Sequence, residues 1–231
     1  MTKKLGITAG VLCCITVIVI CLALGTNNAL AKTEANRFQS EFINSVDGSV
    51  LSLDDYKEIN GDVVAMIELS DRHIPIVQSQ DNEDYLRKNI WKKTDSMGSL
   101  FIQNDSSIEA SNIIVYGHSS SSNDYMFTPF SNKSYVLENS TFIFESDREY
   151  VVTIVAYFKI DLSTEEDLSI FQSNFRNSSE LEKHVLKMME RSSVKIEYDW
   201  EEVEQIITLV TCNVQTANED DRYILIGVIE K

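Results

Sequence analysis

The sequence is poor in proline, glycine and cysteine for its length of 231 residues. With 2 Pro and 8 Gly, it has the composition of neither a collagen-like protein nor a proline-rich linker. Basic residues are also few, since 20 Lys and Arg stand against 36 Asp and Glu for a formal net charge of −16. Because a surface that binds nucleic acid needs clustered Lys and Arg, this balance argues against a nucleic-acid partner. The hydrophobic content of 43% and charged content of 24% are those of a globular protein.

One long uncharged stretch lies near the N-terminus, at residues 5–24, directly after Lys3 and Lys4. About 20 apolar residues are enough for a helix to span a hydrocarbon core of roughly 30 Å. The preceding lysines predict a cytoplasmic N-terminus and an extracellular C-terminal part, and therefore a single-pass cell-membrane protein. A cleaved signal peptide is the alternative, because the Ala-Leu-Ala at 29–31 resembles a cleavage site. The stretch is, however, longer than the apolar region of about 7–15 residues that signal peptides carry.

Cysteine is confined almost entirely to this apolar stretch. Three of the four cysteines, Cys13, Cys14 and Cys21, lie within it, so Cys212 is the single thiol of the predicted extracellular part. That part can form no internal disulfide and no cysteine-rich zinc site. A lone Cys is either a small buried apolar residue or a reactive thiolate, and the residues around Cys212 must decide between the two.

Short β-rich runs dominate the sequence beyond residue 62. Polar, turn-forming residues separate several of them, and the segment 146–149 predicts a hairpin. Eight runs with few helical connections favour an antiparallel barrel or sandwich over a βαβ sheet. The predicted strands are 63–69, 74–79, 99–103, 112–117, 141–145, 150–160, 205–212 and 222–230.

Three regions follow from these patterns: a cytoplasmic tip and transmembrane segment at 1–31, a helical linker at 32–61, and a β-domain at 62–231. Within the linker, Ser52 and Asp55 have the spacing of a helix-capping box. Two helices are predicted inside the β-domain, a short one at 82–90 and a longer one at 164–193. The longer one carries apolar residues at helical spacing, namely Leu181, Val185, Met188 and Met189.

Two of the three histidines are predicted to face solvent. His73 falls in a predicted turn between strands, and His184 lies among charged residues of the longer helix. His118 differs because it directly follows the apolar strand 112–117, and a polar residue just past a strand end is well placed for a functional site.

Cys212 also ends a predicted strand, and Arg222 begins the last one. If these two strands are antiparallel neighbours, the intervening loop returns Arg222 to the side of Cys212. His118, Cys212 and Arg222 can then meet at one end of a barrel. A thiol, an imidazole and a guanidinium together are typical of a thiol enzyme that stabilises an oxyanion.

These elements resemble the active-site signatures of the sortases, which are membrane-anchored cysteine transpeptidases. The resemblance rests on NIIVYGH at 112–118, TLVTC at 208–212 and Arg222, and it covers nearly all of residues 58–231. The segments INGDVVAMIEL (59–69), IPIVQSQDNEDYL (74–86) and GSLFIQND (98–105) are similar to class B sortases in particular.

The resemblance implies an eight-stranded barrel with N-terminal helices and a helix inserted between strands 6 and 7. It implies that Cys212 is the nucleophile, His118 the acid, and Arg222 the group that stabilises the oxyanion. Thr211 and Asn82 are carried over as substrate-binding positions. The implied partners are surface proteins with an LPxTG-like or NPxTN-like sorting signal, and an amine acceptor from a peptidoglycan precursor or a pilin. No metal and no cofactor is implied.

Two alternatives stay open on the sequence. A cysteine protease would use the same Cys and His, since only the second nucleophile differs. A non-enzymatic, membrane-anchored β-domain would keep Cys212 as a buried structural residue.

Overall fold

The computed structural model describes residues 51–69, 72–119, 126–166, 168–194, 196, 198, 203–212 and 220–230, with Cys212 described by its backbone only. The predicted membrane segment 5–24 lies outside these residues. Within the described ranges, no helix is both long and apolar enough to cross a membrane.

Eight β-strands form a closed barrel, which confirms the mostly-β prediction. Each strand coincides with a predicted run to within two residues at either end, because each run is rich in the β-branched and aromatic residues that fit a half-buried sheet. The strands are β1 (Val63–Leu69), β2 (Arg72–Gln78), β3 (Leu100–Ile102), β4 (Asn112–Gly117), β5 (Thr141–Glu145), β6 (Glu149–Asp161), β7 (Ile206–Cys212) and β8 (Asp221–Ile229).

The order of strands around the barrel is β1-β2-β3-β4-β7-β8-β6-β5, and β5 closes on β1. Six of the neighbouring pairs are antiparallel, whereas β2–β3 and β4–β7 are parallel. The prediction of an antiparallel barrel was therefore wrong for these two pairs. The predicted hairpin between β5 and β6 is confirmed, and its turn is closed by a hydrogen bond from the Ser146 amide to the Arg148 carbonyl (3.1 Å).

The first described helix, α1 (Leu53–Ile59), begins as predicted at a capping box. The Asp55 amide donates to the Ser52 hydroxyl (3.2 Å), and the Ser52 amide donates to the Asp55 carboxylate (2.8 Å). Leu53 and Tyr56 are buried on the face that packs against the barrel. The capping box and this apolar face together explain where the helix starts and what stabilises it.

Two short helical elements differ from the prediction. The predicted helix 82–90 is reduced to a single 3₁₀ turn, Asp84–Arg87. A helix that was not predicted, α2 (Lys133–Glu138), begins at Asn132, whose side chain accepts a hydrogen bond from the Ser134 amide. Its six residues bury only Val136, which is too short an apolar pattern to detect in a sequence.

The helix inserted between β6 and β7 is confirmed but shorter than predicted. It is α3 (Ser178–Arg191), preceded by a 3₁₀ turn at Leu168–Phe171. The side chain of Asn177 accepts a hydrogen bond from the Glu180 amide (3.0 Å), and this cap sets the start of the helix. The face formed by Leu181, Val185 and Met188 is buried against side chains of β6, β7 and β8. Each such burial stabilises the fold by about 1.5–3 kcal/mol.

Candidate active site

Three strand ends meet at one end of the barrel. Because β4 and β7 are parallel, their carboxyl ends lie at the same edge, where Gly117 is the register partner of Thr211. His118 and Cys212 each come one residue later. The antiparallel pair β7–β8 then makes Cys212 and Arg222 direct Cα partners, as the sequence predicted. The register therefore brings the backbones of all three predicted catalytic residues together.

A cleft of about 310 Å³ opens at this end. Four of the five predicted site residues line it: His118, Arg222, Thr211 and Asn82. The other lining residues come from the β2–β3 connection, β3, β4, β7 and the end of β6, and several are apolar. They are Tyr85, Leu86, Met97, Ser99, Phe101, Tyr116, Gly117, Leu162 and Val210.

His118 is half-buried in the wall of the cleft. Burial lowers the pKa of its imidazole below the ordinary value, because the charged form loses hydration. The positive charge of Arg87 lowers this pKa further, and the negative charge of Asp95 partly opposes both effects. At neutral pH the imidazole is therefore mostly neutral, and its protonated form is a minor population.

Arg222 reaches the cleft from the start of β8. Its Nη1 donates to the carbonyl of Asp221 (2.9 Å), which fixes one side of the guanidinium. The Asp221 carboxylate is itself buried and pairs with Lys159 Nζ on β6 (2.8 Å). This ion pair ties the first residue of β8 to β6 and so restrains the backbone next to Arg222. A guanidinium fixed in this way can direct its remaining donors at a carbonyl oxygen.

Thr211 and Asn82 occupy different parts of the cleft. Thr211 is buried next to Cys212 in the chain, and its Oγ1 makes no hydrogen bond with any described residue. Asn82 is exposed at the rim, where its amide exchanges two hydrogen bonds with Asn104: its Nδ2 donates to the side chain (3.1 Å), and its Oδ1 accepts from the backbone amide (2.8 Å). The Asn82 side chain is thus held in place by two hydrogen bonds, whereas the Thr211 hydroxyl is buried.

Gly117 is a site residue that the sequence reasoning did not single out. A Cβ at this position would lie 2.3 Å from Cδ2 of Phe127 and 2.5 Å from Cδ2 of Leu100. Only glycine lets these two side chains pack against β4 directly before His118. Its place between an apolar strand and a histidine was the available signal.

The apolar lining was also missed. Phe101 and Tyr116 stack with ring centroids 5.3 Å apart, and Leu86 and Met97 come from the long β2–β3 connection. An apolar residue that lines a cleft looks the same in a sequence as one in the core. No local signal distinguishes the two.

The predictions for the other two histidines were wrong. His184 is buried on α3, where its ring lies 4.8 Å from that of Phe175. His73 lies within β2, not in a turn, and is half-buried opposite its register partner Glu68, with Nε2 3.9 Å from the carboxylate. Neither lines the cleft. Within the described part of the chain, no group of three or more His, Cys, Asp or Glu side chains could hold a metal ion.

No protein-family model matches the chain. It is 28% identical to sortase B of Listeria monocytogenes over 192 residues. The aligned region covers 79% of this chain and 76% of that protein. The X-ray structure of Clostridium perfringens sortase B superposes with a TM-score of 0.68 at 25% identity, over 78% of this chain and 100% of that chain. The chain is a sortase class B-like protein.

A third comparison concerns the fold alone. The structure of a Staphylococcus aureus sortase B–substrate complex is 20% identical to this sortase B-like protein and superposes with a TM-score of 0.67, over 88% of this chain and 94% of that chain. The similarity to sortase B supports the assignment of this protein to a family of cysteine transpeptidases.

Proposed function

We propose that this protein is a sortase whose nucleophile is Cys212, whose acid and base is His118, and whose oxyanion-stabilising group is Arg222. The observation that carries the proposal is the strand register, since Gly117 pairs with Thr211 and Cys212 pairs with Arg222 at one end of the barrel. Residues from three strands converge there beside a cleft large enough for a peptide segment.

The first half of the reaction cleaves a sorting signal. The Cys212 thiolate attacks the carbonyl carbon of the scissile peptide bond, a C–S bond forms, and negative charge develops on the carbonyl oxygen. Arg222 donates hydrogen bonds to that oxygen. As the C–N bond breaks, the His118 imidazolium gives its proton to the departing amine, which leaves a thioester.

The second half transfers the acyl group. An amine attacks the thioester, a C–N bond forms, and the C–S bond breaks to restore the thiolate. The proton lost by the attacking amine goes to His118, which regenerates the imidazolium. The partly apolar cleft limits access of water to the thioester and so favours the amine over hydrolysis.

The substrates we propose are surface proteins with an LPxTG-like or NPxTN-like sorting signal, together with an amine of a wall precursor or a pilin. The Staphylococcus aureus sortase B–substrate complex supports a substrate-binding role for this fold. Asn82 at the rim and Thr211 beside Cys212 both line the cleft, and we propose that they contribute to binding that peptide.

We also propose that residues 5–24 attach the enzyme to the membrane as a single span, with the catalytic domain outside. Fractionation should find the full-length chain in membranes, and external protease should digest its C-terminal domain. A soluble secreted form that begins at Lys32 would contradict this and would indicate cleavage after 29–31.

The activity is tested with the full-length chain in detergent. It is incubated with peptides that carry either class of sorting signal, with and without an amine, and the products are read by mass spectrometry. A transfer product supports a transpeptidase, whereas hydrolysis alone supports a cysteine protease.

The control is Cys212→Ala, which should abolish every product while leaving the thermal unfolding curve unchanged. Residual transfer above a few per cent of the wild-type rate would remove Cys212 as the nucleophile. A wild-type chain that turns over no peptide and is not alkylated by iodoacetamide at Cys212, as read by peptide mass mapping, would support the non-enzymatic domain.

A further inference from the structure

A line of hydrogen-bonded side chains lies behind the cleft and is not used by the chemistry above. Tyr116 is two residues before His118 on β4, so both side chains project from the same face of the strand. The Tyr116 ring lines the cleft and stacks on Phe101. Its hydroxyl lies 2.7 Å from Oε1 of Gln103, a residue that is only 7% exposed.

The direction of this hydrogen bond is fixed by the other contacts of Gln103. Its Nε2 donates to the carbonyl oxygen of Phe171 (3.2 Å) and to the carboxylate of Asp105. Both of these partners are acceptors, so the amide nitrogen must face them and the amide oxygen must face Tyr116. The Tyr116 hydroxyl therefore donates its single proton to Gln103. Its oxygen keeps a lone pair that can accept a hydrogen bond.

Tyr116 keeps this proton over the whole working pH range. Burial raises the pKa of its hydroxyl to about 12, and the nearby charge of Asp105 acts in the same direction. Arg222 acts in the opposite direction, which shows that the guanidinium lies within electrostatic reach of the ring. Tyr116, with its neutral hydroxyl, and the cationic Arg222 thus line the same cleft.

A bound peptide needs both kinds of partner. Its carbonyl groups require donors, which Arg222 supplies, and its N–H groups require acceptors. We propose that Tyr116 orients the bound peptide by accepting a hydrogen bond from one of its N–H groups, and that Gln103 is the positioning residue that fixes the direction of that hydrogen bond. The inference rests on the proposed function, because it requires a peptide in the cleft.

The same network connects the cleft to the segment 168–173 between β6 and α3. Phe171 accepts from Gln103, and the Ser173 hydroxyl donates to Asp105 (3.1 Å). The side chain of Asn112, at the start of β4, donates to the Gln172 carbonyl (2.9 Å). The segment therefore supplies one of the two acceptors that orient Gln103, and it also contacts Asp105, which supplies the other.

The test compares variants of the full-length enzyme by kcat and KM on a sorting peptide. Tyr116→Phe removes the hydroxyl, and Gln103→Met keeps the side-chain length while removing both of its polar groups. Each single variant should lower kcat/KM about fivefold, the value of one neutral hydrogen bond. The double variant should also lose about fivefold, because both changes remove the same interaction.

The matched control is Tyr150→Phe. This tyrosine donates its hydroxyl to Asp147 (2.7 Å) on the β5–β6 hairpin, at the other end of the barrel. The chemical change is identical, and kcat/KM should equal that of the wild type.

A second variant, Gln103→Glu, separates orientation from packing. Its carboxylate cannot donate to Phe171, but its protonated form can. The ratio of its kcat/KM to that of the wild type should therefore rise as the pH falls from about 8 to about 6, because the carboxyl beside Asp105 then takes up a proton. A residue with only a packing role would give a constant ratio, and that result would overturn the positioning role of Gln103. This variant also serves if Gln103→Met does not fold.

The outcomes are distinct for the two proposals. Wild-type kcat/KM in Tyr116→Phe, alongside an inactive Cys212→Ala, would overturn the inference and leave the proposed function intact. Effects of the two single variants that multiply in the double variant would show that Gln103 does not act through Tyr116. A wild-type enzyme that turns over no sorting peptide would overturn the proposed function, and the inference would fall with it.

Discussion

The two ends of the barrel both carry a hollow, and the larger one lies away from the predicted catalytic residues. The cleft of about 310 Å³ lies at the carboxyl ends of β4 and β7. The opposite hollow, of about 520 Å³, lies where these two strands begin and includes the β5–β6 hairpin. Cavity volume alone would therefore select the end that lacks the predicted catalytic residues.

The two hollows differ in how their ionisable groups meet water. The far hollow is lined by Glu109, Asp147 and Glu204, and hydrogen bonds from Tyr150 and then Ser146 lower the pKa of the fully exposed Asp147. At the near cleft, burial lowers the pKa of His118 and therefore favours its neutral form. Asp147 is exposed and its pKa is lowered, whereas burial in the cleft shifts His118 towards its neutral form. That change is the property expected of a reactive site.

The largest effect that would sharpen this comparison is expected from Arg222→Lys. Lysine keeps the charge but loses the planar pair of donors, so kcat should fall by about 10²–10³ with KM nearly unchanged. The control is Arg148→Lys on the hairpin at the far end, which should leave steady-state kinetics unaltered. Near-wild-type kcat in Arg222→Lys would place Arg222 outside the active site.

A change in stability is expected from Gly117→Ala. The added methyl group would overlap the side chains of Phe127 and Leu100, and overpacking of this kind costs about 1–3 kcal/mol. Gly61→Ala is the control, because nothing lies within 4 Å of a Cβ at that position. Urea denaturation measures both variants, and equal midpoints would show that the cleft end accommodates a side chain beside His118.

A smaller effect is expected from Arg87→Gln, which removes a charge that lowers the pKa of His118. The pKa should rise but stay below its ordinary value, because burial remains. More imidazolium would then be present at neutral pH, so kcat/KM should increase there. A ¹H–¹⁵N NMR titration of His118 measures the pKa, with Arg148→Gln as the control. An unchanged pKa would show that Arg87 does not act on the imidazole.

The lowered pKa of His118 also determines how the stability of the folded protein depends on pH. The unfolded chain takes up a proton near the ordinary pKa of about 6.5, whereas the folded chain takes it up only at lower pH. The stability contributed by the neutral imidazole is therefore complete above that value. It is lost as the pH falls from there towards the pKa in the folded state.

The smallest effect is expected at the far hollow. Glu109→Gln combined with Glu204→Gln should leave kcat and KM of the sorting-peptide reaction within about twofold, because solvated acids far from the reacting bond are screened by salt. A larger loss of kcat or a larger change in KM would contradict the comparison, because it would show that the two ends are functionally connected.

The strands were predictable because each is a continuous β-rich run, but the two parallel pairings were not. The parallel pairs β2–β3 and β4–β7 join segments that no local pattern relates. The place of Arg222 beside Cys212 was predictable, since two strands joined by a loop are usually antiparallel neighbours.

Burial of single polar residues could not be predicted in the same way. His184 is surrounded by charged residues in the sequence, yet the helical period turns it towards Phe175. The bond between Tyr116 and Gln103 joins two strands, so neither residue reveals it alone. By contrast, the Asn177 cap with Glu180 three residues later was a readable start for α3, and it would have corrected the predicted helix 164–193.

The parallel pairing of β4 with β7 has a consequence for biosynthesis. Chains are synthesised from the N-terminus, and β4 cannot pair with β7 until β7, which lies about 90 residues later in the chain, has been made. No early hairpin can bring His118 to Cys212, and pairings between distant segments form slowly. The chain must therefore be made at least as far as Cys212 before this thiol can meet the imidazole of His118, so shorter nascent or truncated chains should lack the proposed activity.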